Sequence, residues 1–428
     1  MFFSSIKKSY KYFLLFAVLF TSCTSKEETQ RQKEIAIENA KNQAVADFVS
    51  TLPETVKISQ LFLVNIEGNK DFIPIEKTGI LYGNKNQGEP LVPGGCLFFS
   101  YNVAKSKEEV KHFTDSINSF YIKHSNIPPF MAIDQEGGYV NRLRSITDNF
   151  PSNKQVSDNY SIEQATLLYS TQAAQMSELG FNMNLAPVVE VESKENSSFL
   201  DTRSFGSIEK VLQFAPLEVK AFEDKNVLAV LKHFPGNTNT DPHTGLPEIK
   251  VTKEKLQTEL LEPFKKILPF SSAVLMSHAR VFVEDAAEDE NLNIDSKIPS
   301  CFSTYWIKEV LRKEYGFKGL ILSDDIFMGA LADHGFSPEV AALKAVDAGI
   351  DIIMLSEKRF GNTARILLDK AHSSPEFAEK IEESVRRVIK YKIKCGILEL
   401  KQLDFDNEGK KLEIPSFKVE LSSAFSDL

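Results

Sequence analysis

The chain has 428 residues, 42% hydrophobic and 25% charged, with a formal charge of -9 and four cysteines. These values exclude disorder throughout, a polytopic membrane protein and a disulfide scaffold. The acidic balance argues against nucleic acid as a partner.

Residues 1–22 read as an export signal. Lys7, Lys8 and Lys11 precede the apolar stretch YFLLFAVLFTS, and Cys23 follows. The apolar run is shorter than the roughly 18–20 residues that a spanning helix needs. Leu19-Phe20-Thr21-Ser22-Cys23 resembles a bacterial lipobox, with Phe20 where Leu is commoner. That resemblance implies lipidation at Cys23 and attachment to the cell envelope, facing the periplasm or the outside, with the membrane contacted through the lipid alone. Residues 23–34 are polar and charged and read as a tether. Cys96, in an apolar run, reads as a small packed hydrophobe. With Cys301 and Cys395 it makes an odd number, so no disulfide is required.

From there one pattern repeats. Apolar runs at 60–68, 94–102, 129–138, 181–191, 226–236, 272–281, 318–326 and 349–357 alternate with segments of helical period near 107–123, 161–179, 208–224, 253–267, 304–315, 338–347 and 361–371. Continuous apolar strands alternating with helices predict a parallel sheet buried on both faces. Eight such units predict an α/β fold, a (β/α)8 TIM-type barrel over residues 35–400, with 401–428 as a C-terminal tail. No GxGxxG follows the first strand, which argues against a dinucleotide-binding sheet. Asp134, Glu136, Asn184, Lys232, His233, His278, Asp324 and Asp325 all fall where an apolar run stops. In such barrels the carboxyl ends of the strands carry the active site.

Five motifs stand at those ends: IDQEGGYVNRL (133–143), RSFG (203–206), KHFPG (232–236), DPHTGLP (241–247) and SDDIFMGA (323–330). Together, in this order, they resemble glycoside hydrolase family 3, in its β-N-acetylhexosaminidase branch and its single-domain type. The resemblance covers about 55–395. It implies a retaining exo-β-N-acetylglucosaminidase acting on terminal β-linked GlcNAc of peptidoglycan fragments or chito-oligosaccharides, without cofactor or metal.

Retention requires a carboxylate that attacks the anomeric carbon and an acid that protonates the leaving oxygen. The resemblance gives the first role to Asp324; the plainer alternative, capping the next helix, suits Asp325 better. It gives the second to His243, with Asp241 as its carboxylate partner. A carboxylate beside an imidazole fixes its tautomer and stabilises the protonated form. The same NTNTDPHTG stretch would also serve as a plain turn-rich loop. Here the chain departs from the family pattern: Asn237 and Thr238 replace a His-Gly pair, Pro242 replaces Ser, and the loop is two residues shorter. Asp134, Arg203, Lys232 and His233 match family positions that hold the first sugar's hydroxyls, while Lys232 and His233 also suit a buried ion pair, with Asp134 as partner. His278 matches a further sugar contact. Glu136 and Arg142 read as braces, and Tyr139 stands where the family has Arg.

Three rival readings remain open at this stage. A metal-dependent hydrolase could use His233, His243, His278 and Asp324, although the early His-x-His usual in such barrels is missing. A non-catalytic glycan-binding lipoprotein would follow from a lost acid in the altered loop. A family relative with β-glucosidase or phosphorylase activity would share the same bowl.

Overall fold

Each of the eight apolar runs forms a strand. In the computed structural model these are β1 (Phe62–Asn65), β2 (Gly95–Phe98), β3 (Phe130–Ile133), β4 (Met183–Asn184), β5 (Leu228–Phe234), β6 (Ala273–Met276), β7 (Leu320–Ser323) and β8 (Ile353–Ser356). The structure describes the backbone of residues 4–74, 81–82, 90–124, 126–240, 245–285, 297–405 and 410–426. Side chains are described from residue 28 onward, except at 81, 82, 90, 91, 330 and 357.

The eight strands make one sheet, bonded in chain order, with β8 returning to β1 through Phe62↔Ile353 and its parallel successors. A parallel bridge, Leu322↔Ile352, joins β7 to the start of β8 and closes the barrel. The strands are buried along both faces, as the unbroken Val, Ile, Leu and Phe runs require. The TIM-type barrel is therefore present as expected.

The helices between strands begin where the chain supplies a cap. Ser106 accepts from Glu109 N at the start of Lys107–Lys123. Ser161 and Gln164 form a capping box at Ile162–Glu178. Ser337 caps Pro338–Ala348, which ends on Gly349 at φ 110. Each device satisfies amide or carbonyl groups that a helix end leaves without partners. The helical segments after β5 and β6 contain widened, i to i+5 turns at Leu256–Leu261 and Tyr305–Glu314. One further helix, Pro375–Lys394, was not among the predicted elements; it buries Phe377, Ile381, Val385, Val388 and Ile389 on one face.

Two carboxylates, of which Asp351 is fully buried, tie the amino-terminal mouth of the barrel. Asp351 accepts from Arg312 at 2.6 Å and from Ile321 N at 2.9 Å. Glu223 accepts from Ala229 N, Ser272 N and Ser272 Oγ at 2.8–3.1 Å, and Lys394 lies 2.6 Å from it. Charges at that end hold strands together, and the opposite end is left for chemistry.

A second unit consists of Met1–Thr51 with Glu399–Glu420. In it a helix spans Ser4–Thr51, covering the stretch read as signal and tether, and Leu398–Phe405 pairs with Lys411–Leu421 as a two-stranded sheet in the stretch read as a tail. The side chain of Cys23 lies outside the described residues. Among the described residues no helix is long and apolar enough to cross a membrane. Cys96, Cys301 and Cys395 are free thiols, and Cys96 is fully buried as expected.

Candidate active site

The turn after β3 organises the site. Gln135–Gly137 folds back against Val140–Asn141, with Gly137 at φ 92 and Gly138 at φ 58. A Cβ on Gly137 would lie 2.2 Å from Pro151 O, and one on Gly138 2.6 Å from Ser152 Cβ. Both the left-handed backbone and the close approach demand glycine. Gln135 fastens the turn: its side chain donates to Asn141 Oδ1 at 2.7 Å and accepts from Leu143 N at 3.1 Å.

This turn presents Asp134 and Glu136 to two cations. Arg203 grips Glu136 with two parallel bonds, Nε to Oε2 at 2.8 Å and Nη2 to Oε1 at 2.9 Å. Lys232 Nζ lies 2.6 Å from Glu136 Oε1 and 2.5 Å from Asp134 Oδ1. Glu136 and Lys232 are almost wholly buried, while Asp134 and Arg203 keep an exposed fraction. Burial alone would raise the Glu136 carboxyl, but Arg203 and Lys232 outweigh it and hold the group far below the usual carboxylate range. Burial would likewise lower Arg203 and Lys232, and Glu136 and Asp134 reverse the sign in both. Glu136, Arg203 and Lys232 thus stay ionised at the mouth of the barrel. Asp134, Arg203 and Lys232 come together as expected, and Glu136 braces them.

His233, the last residue but one of β5, is held by a residue that the sequence reading did not single out. Glu190 Oε2 accepts from His233 N at 3.0 Å and lies 2.6 Å from Nδ1. The carboxylate beside His233 is therefore Glu190 and not Asp134, which bonds Lys232 instead. Phe199 stands beside Arg203 and His233, its ring 5.4 Å from the Arg203 guanidinium carbon and 5.6 Å from the His233 ring. The signal for Glu190 was the lone acid in VVEV, where the fourth apolar run stops.

Asp324 follows the last residue of β7. Its backbone N–H bonds to Met276 O at 3.1 Å, and its Oδ1 accepts from Asp325 N at 2.8 Å. The side chain is half-buried. Burial, and then the Asp324 charge, push the Cys301 thiol well up.

Three sequence expectations are corrected here. His278 offers no ring nitrogen to a sugar: Nε2 meets Asp325 O at 3.0 Å and Nδ1 meets Cys301 Sγ at 3.2 Å. A carbonyl only accepts, so Nε2 carries the proton, and the protonated thiol donates to Nδ1. His278 is buried and braces the turn that carries Asp324. Asp325 does not cap a helix; its Oδ1 accepts from Phe327 N at 2.9 Å, within the turn, and the following helix is Gly329–Asp333 with Met328 at its cap. Asn184, read as part of the polar bowl, spends its amide on Gln135 N and O at 3.0 and 3.1 Å. Asp241 and His243 lie outside the described residues. No group of three His, Cys, Asp or Glu suited to a metal ion occurs among the described residues.

A closed parallel barrel with carboxylates and cations gathered at its strand ends defines a protein of the TIM-barrel class with a charged mouth. Residues 57–391 match the glycosyl hydrolase family 3 N-terminal domain, and the chain belongs to that family. It is 31% identical over 319 residues to the β-hexosaminidase A of Pseudoalteromonas piscicida, covering 70% of this chain and 53% of that protein. The chain thus spans about half the length of that relative. It is 30% identical over 287 residues to the β-hexosaminidase of Tolumonas auensis, covering 66% of this chain and 80% of the relative. Among solved structures it resembles a family 3 β-N-acetylglucosaminidase from Paenibacillus sp. str. FPU-7, with TM-score 0.70 and 26% identity over 81% of this chain and 63% of that one.

Proposed function

We propose that this chain is a retaining exo-β-N-acetylglucosaminidase that releases terminal β-linked GlcNAc from peptidoglycan fragments or chito-oligosaccharides. The observation that supports the reading is that Asp324, just after β7, and the bonded group of Asp134, Glu136, Lys232 and Arg203 both belong to the carboxyl-terminal side of the barrel strands. The names of the relatives, β-hexosaminidase and β-N-acetylglucosaminidase, agree with it.

Asp134, Arg203, Lys232 and His233 hold the sugar's hydroxyls, since charged donors and acceptors make strong directional bonds. Glu190 on Nδ1 of His233 leaves Nε2 to meet a hydroxyl. Asp324 attacks the anomeric carbon as the glycosidic bond breaks, and His243 gives its proton to the departing oxygen. Asp241 stabilises the imidazolium before that transfer. In the second half His243 takes a proton from water, the water oxygen bonds to the anomeric carbon, and Asp324 leaves as carboxylate. Two inversions return the β-anomer. The basic, apolar and Thr-Ser-Cys order at the amino terminus supports export with a lipid on Cys23.

A panel of β-linked 4-nitrophenyl sugars tests the specificity: the N-acetylglucosaminide is the best substrate, and a preference for the glucoside overturns it. Proton NMR tests retention, with the β-anomer of GlcNAc appearing first. Incorporation of labelled palmitate, lost in Cys23→Ser, tests the anchor.

A further inference from the structure

After β6 the chain comes back against the barrel at the short turn Ser300–Phe302, ahead of the helical segment Tyr305–Glu314. Ser300 fastens this turn to the residues just past β6: its N–H and its hydroxyl both donate to Ala279 O, at 2.9 and 2.6 Å. Cys301 is thereby set against His278, with Sγ 3.2 Å from Nδ1. Both residues are buried.

A buried cysteine is ordinarily a small packed hydrophobe. This one has an imidazole nitrogen within reach of its proton, and burial together with the Asp324 charge keeps the thiol protonated. On the far side of the ring, Nε2 meets Asp325 O at 3.0 Å. That carbonyl also accepts from Met328 N at 3.1 Å, and Ile326 N donates to Met354 O at 3.1 Å. The turn that carries Asp324 is thus closed on itself, tied to β8, and tied to the residues past β6 through His278. The ring can hold Asp325 O with the proton on Nε2. With the proton on Nδ1 instead, a lone pair would face the carbonyl oxygen. The bond at one ring nitrogen decides which form is present, and a thiol donor at Nδ1 selects the form that holds.

We propose that Cys301 is a positioning residue for Asp324: its thiol hydrogen, bonded to Nδ1, keeps His278 in the Nε2–H form that grips Asp325 O and so fixes the turn presenting the nucleophile. The inference rests on the reading of Asp324 as nucleophile and adds a residue to that same site.

The full chain, with isotope-labelled histidine, is compared at neutral pH with Cys301→Ser, Cys301→Val and Cys301→Ala. Nitrogen NMR reads the His278 ring, assigned with His278→Gln, and kcat/KM is measured on 4-nitrophenyl N-acetylglucosaminide. The expected wild-type signature is a bare Nδ1 beside a protonated Nε2. The valine and alanine variants should show the Nδ1–H form mixed in and lose about three- to tenfold in kcat/KM, the worth of one ordinary hydrogen bond. The serine variant, whose hydroxyl donates in place of the thiol, should restore the signature and most of the rate. Thermal melts check that the variants fold, and the wild-type signature needs none of them. A proton on Nδ1 in the wild type, a serine variant as slow as the valine one, or a valine variant with wild-type kcat/KM each overturns the proposal and leaves the function reading standing. An Asp324→Asn variant that stays active overturns both.

Discussion

One oxygen of Glu190 holds His233 twice, at the backbone N–H at 3.0 Å and at ring Nδ1 at 2.6 Å. The bond fixes both the direction of the ring and the nitrogen that carries the proton. Glu190 thereby acts through His233, as a positioning residue.

Replacing that carboxylate with an amide removes a charge-assisted bond, about 1.5–3 kcal/mol. Glu190→Gln is therefore expected to lower kcat/KM on an aryl N-acetylglucosaminide by about 10- to 100-fold. An unchanged kcat/KM contradicts the role.

Glu136 links Arg203 to Lys232 in a nearly dry setting. Removing one partner of a buried pair costs about 3–5 kcal/mol, so Glu136→Ala should lose that much in urea unfolding. Its carboxyl is lower when folded than its ordinary 4.5. The stabilisation is thus full above that value and lost as pH falls below it, at about 1.4 kcal/mol per pH unit. Glu136→Gln should lack this acid slope.

Glu218 has the opposite sign. It is fully buried on the helix Ile208–Glu223, and neither carboxyl oxygen has a partner among the described residues. Burial first, and then the Glu136 charge, raise its carboxyl well above 4.5. Stability from this group is complete at acid pH and declines as pH rises from 4.5 toward the folded value, at about 1.4 kcal/mol per pH unit. Glu218→Gln should match the wild type near pH 4 and exceed it at neutral pH. Parallel stability–pH curves for the two proteins contradict this.

His243 tests the acid. With a good leaving group protonation matters less. His243→Ala should keep more of its activity on a dinitrophenyl glycoside than on a natural disaccharide. Equal losses on both argue against His243 as the acid.

The barrel was legible because each strand is apolar on both faces, so Phe62–Asn65, Leu320–Ser323 and the rest stand out as short unbroken runs. The helix Pro375–Lys394 was missed because the strand that follows it, Leu398–Phe405, is mostly exposed and does not stand out as an apolar run. That Asp134, Arg203 and Lys232 gather at the strand ends was legible through their motifs. Their bonding through Glu136 was less so, since residues far apart in the chain meet only in the fold. Glu190 was hidden as one acid among valines. Asn184 and His278 sit at strand ends as read, but a strand-end position does not reveal whether a polar group faces the bowl or is consumed by neighbouring backbone, as both of these are.

The most direct test of the account is to trap the covalent intermediate. A 5-fluoro N-acetylglucosaminyl fluoride slows the second step more than the first, and the labelled protein is digested and mapped by mass spectrometry. The account predicts one sugar per chain, on Asp324, and no label in Asp324→Asn. A sugar attached to any other carboxylate, or turnover with no label at any time, contradicts it.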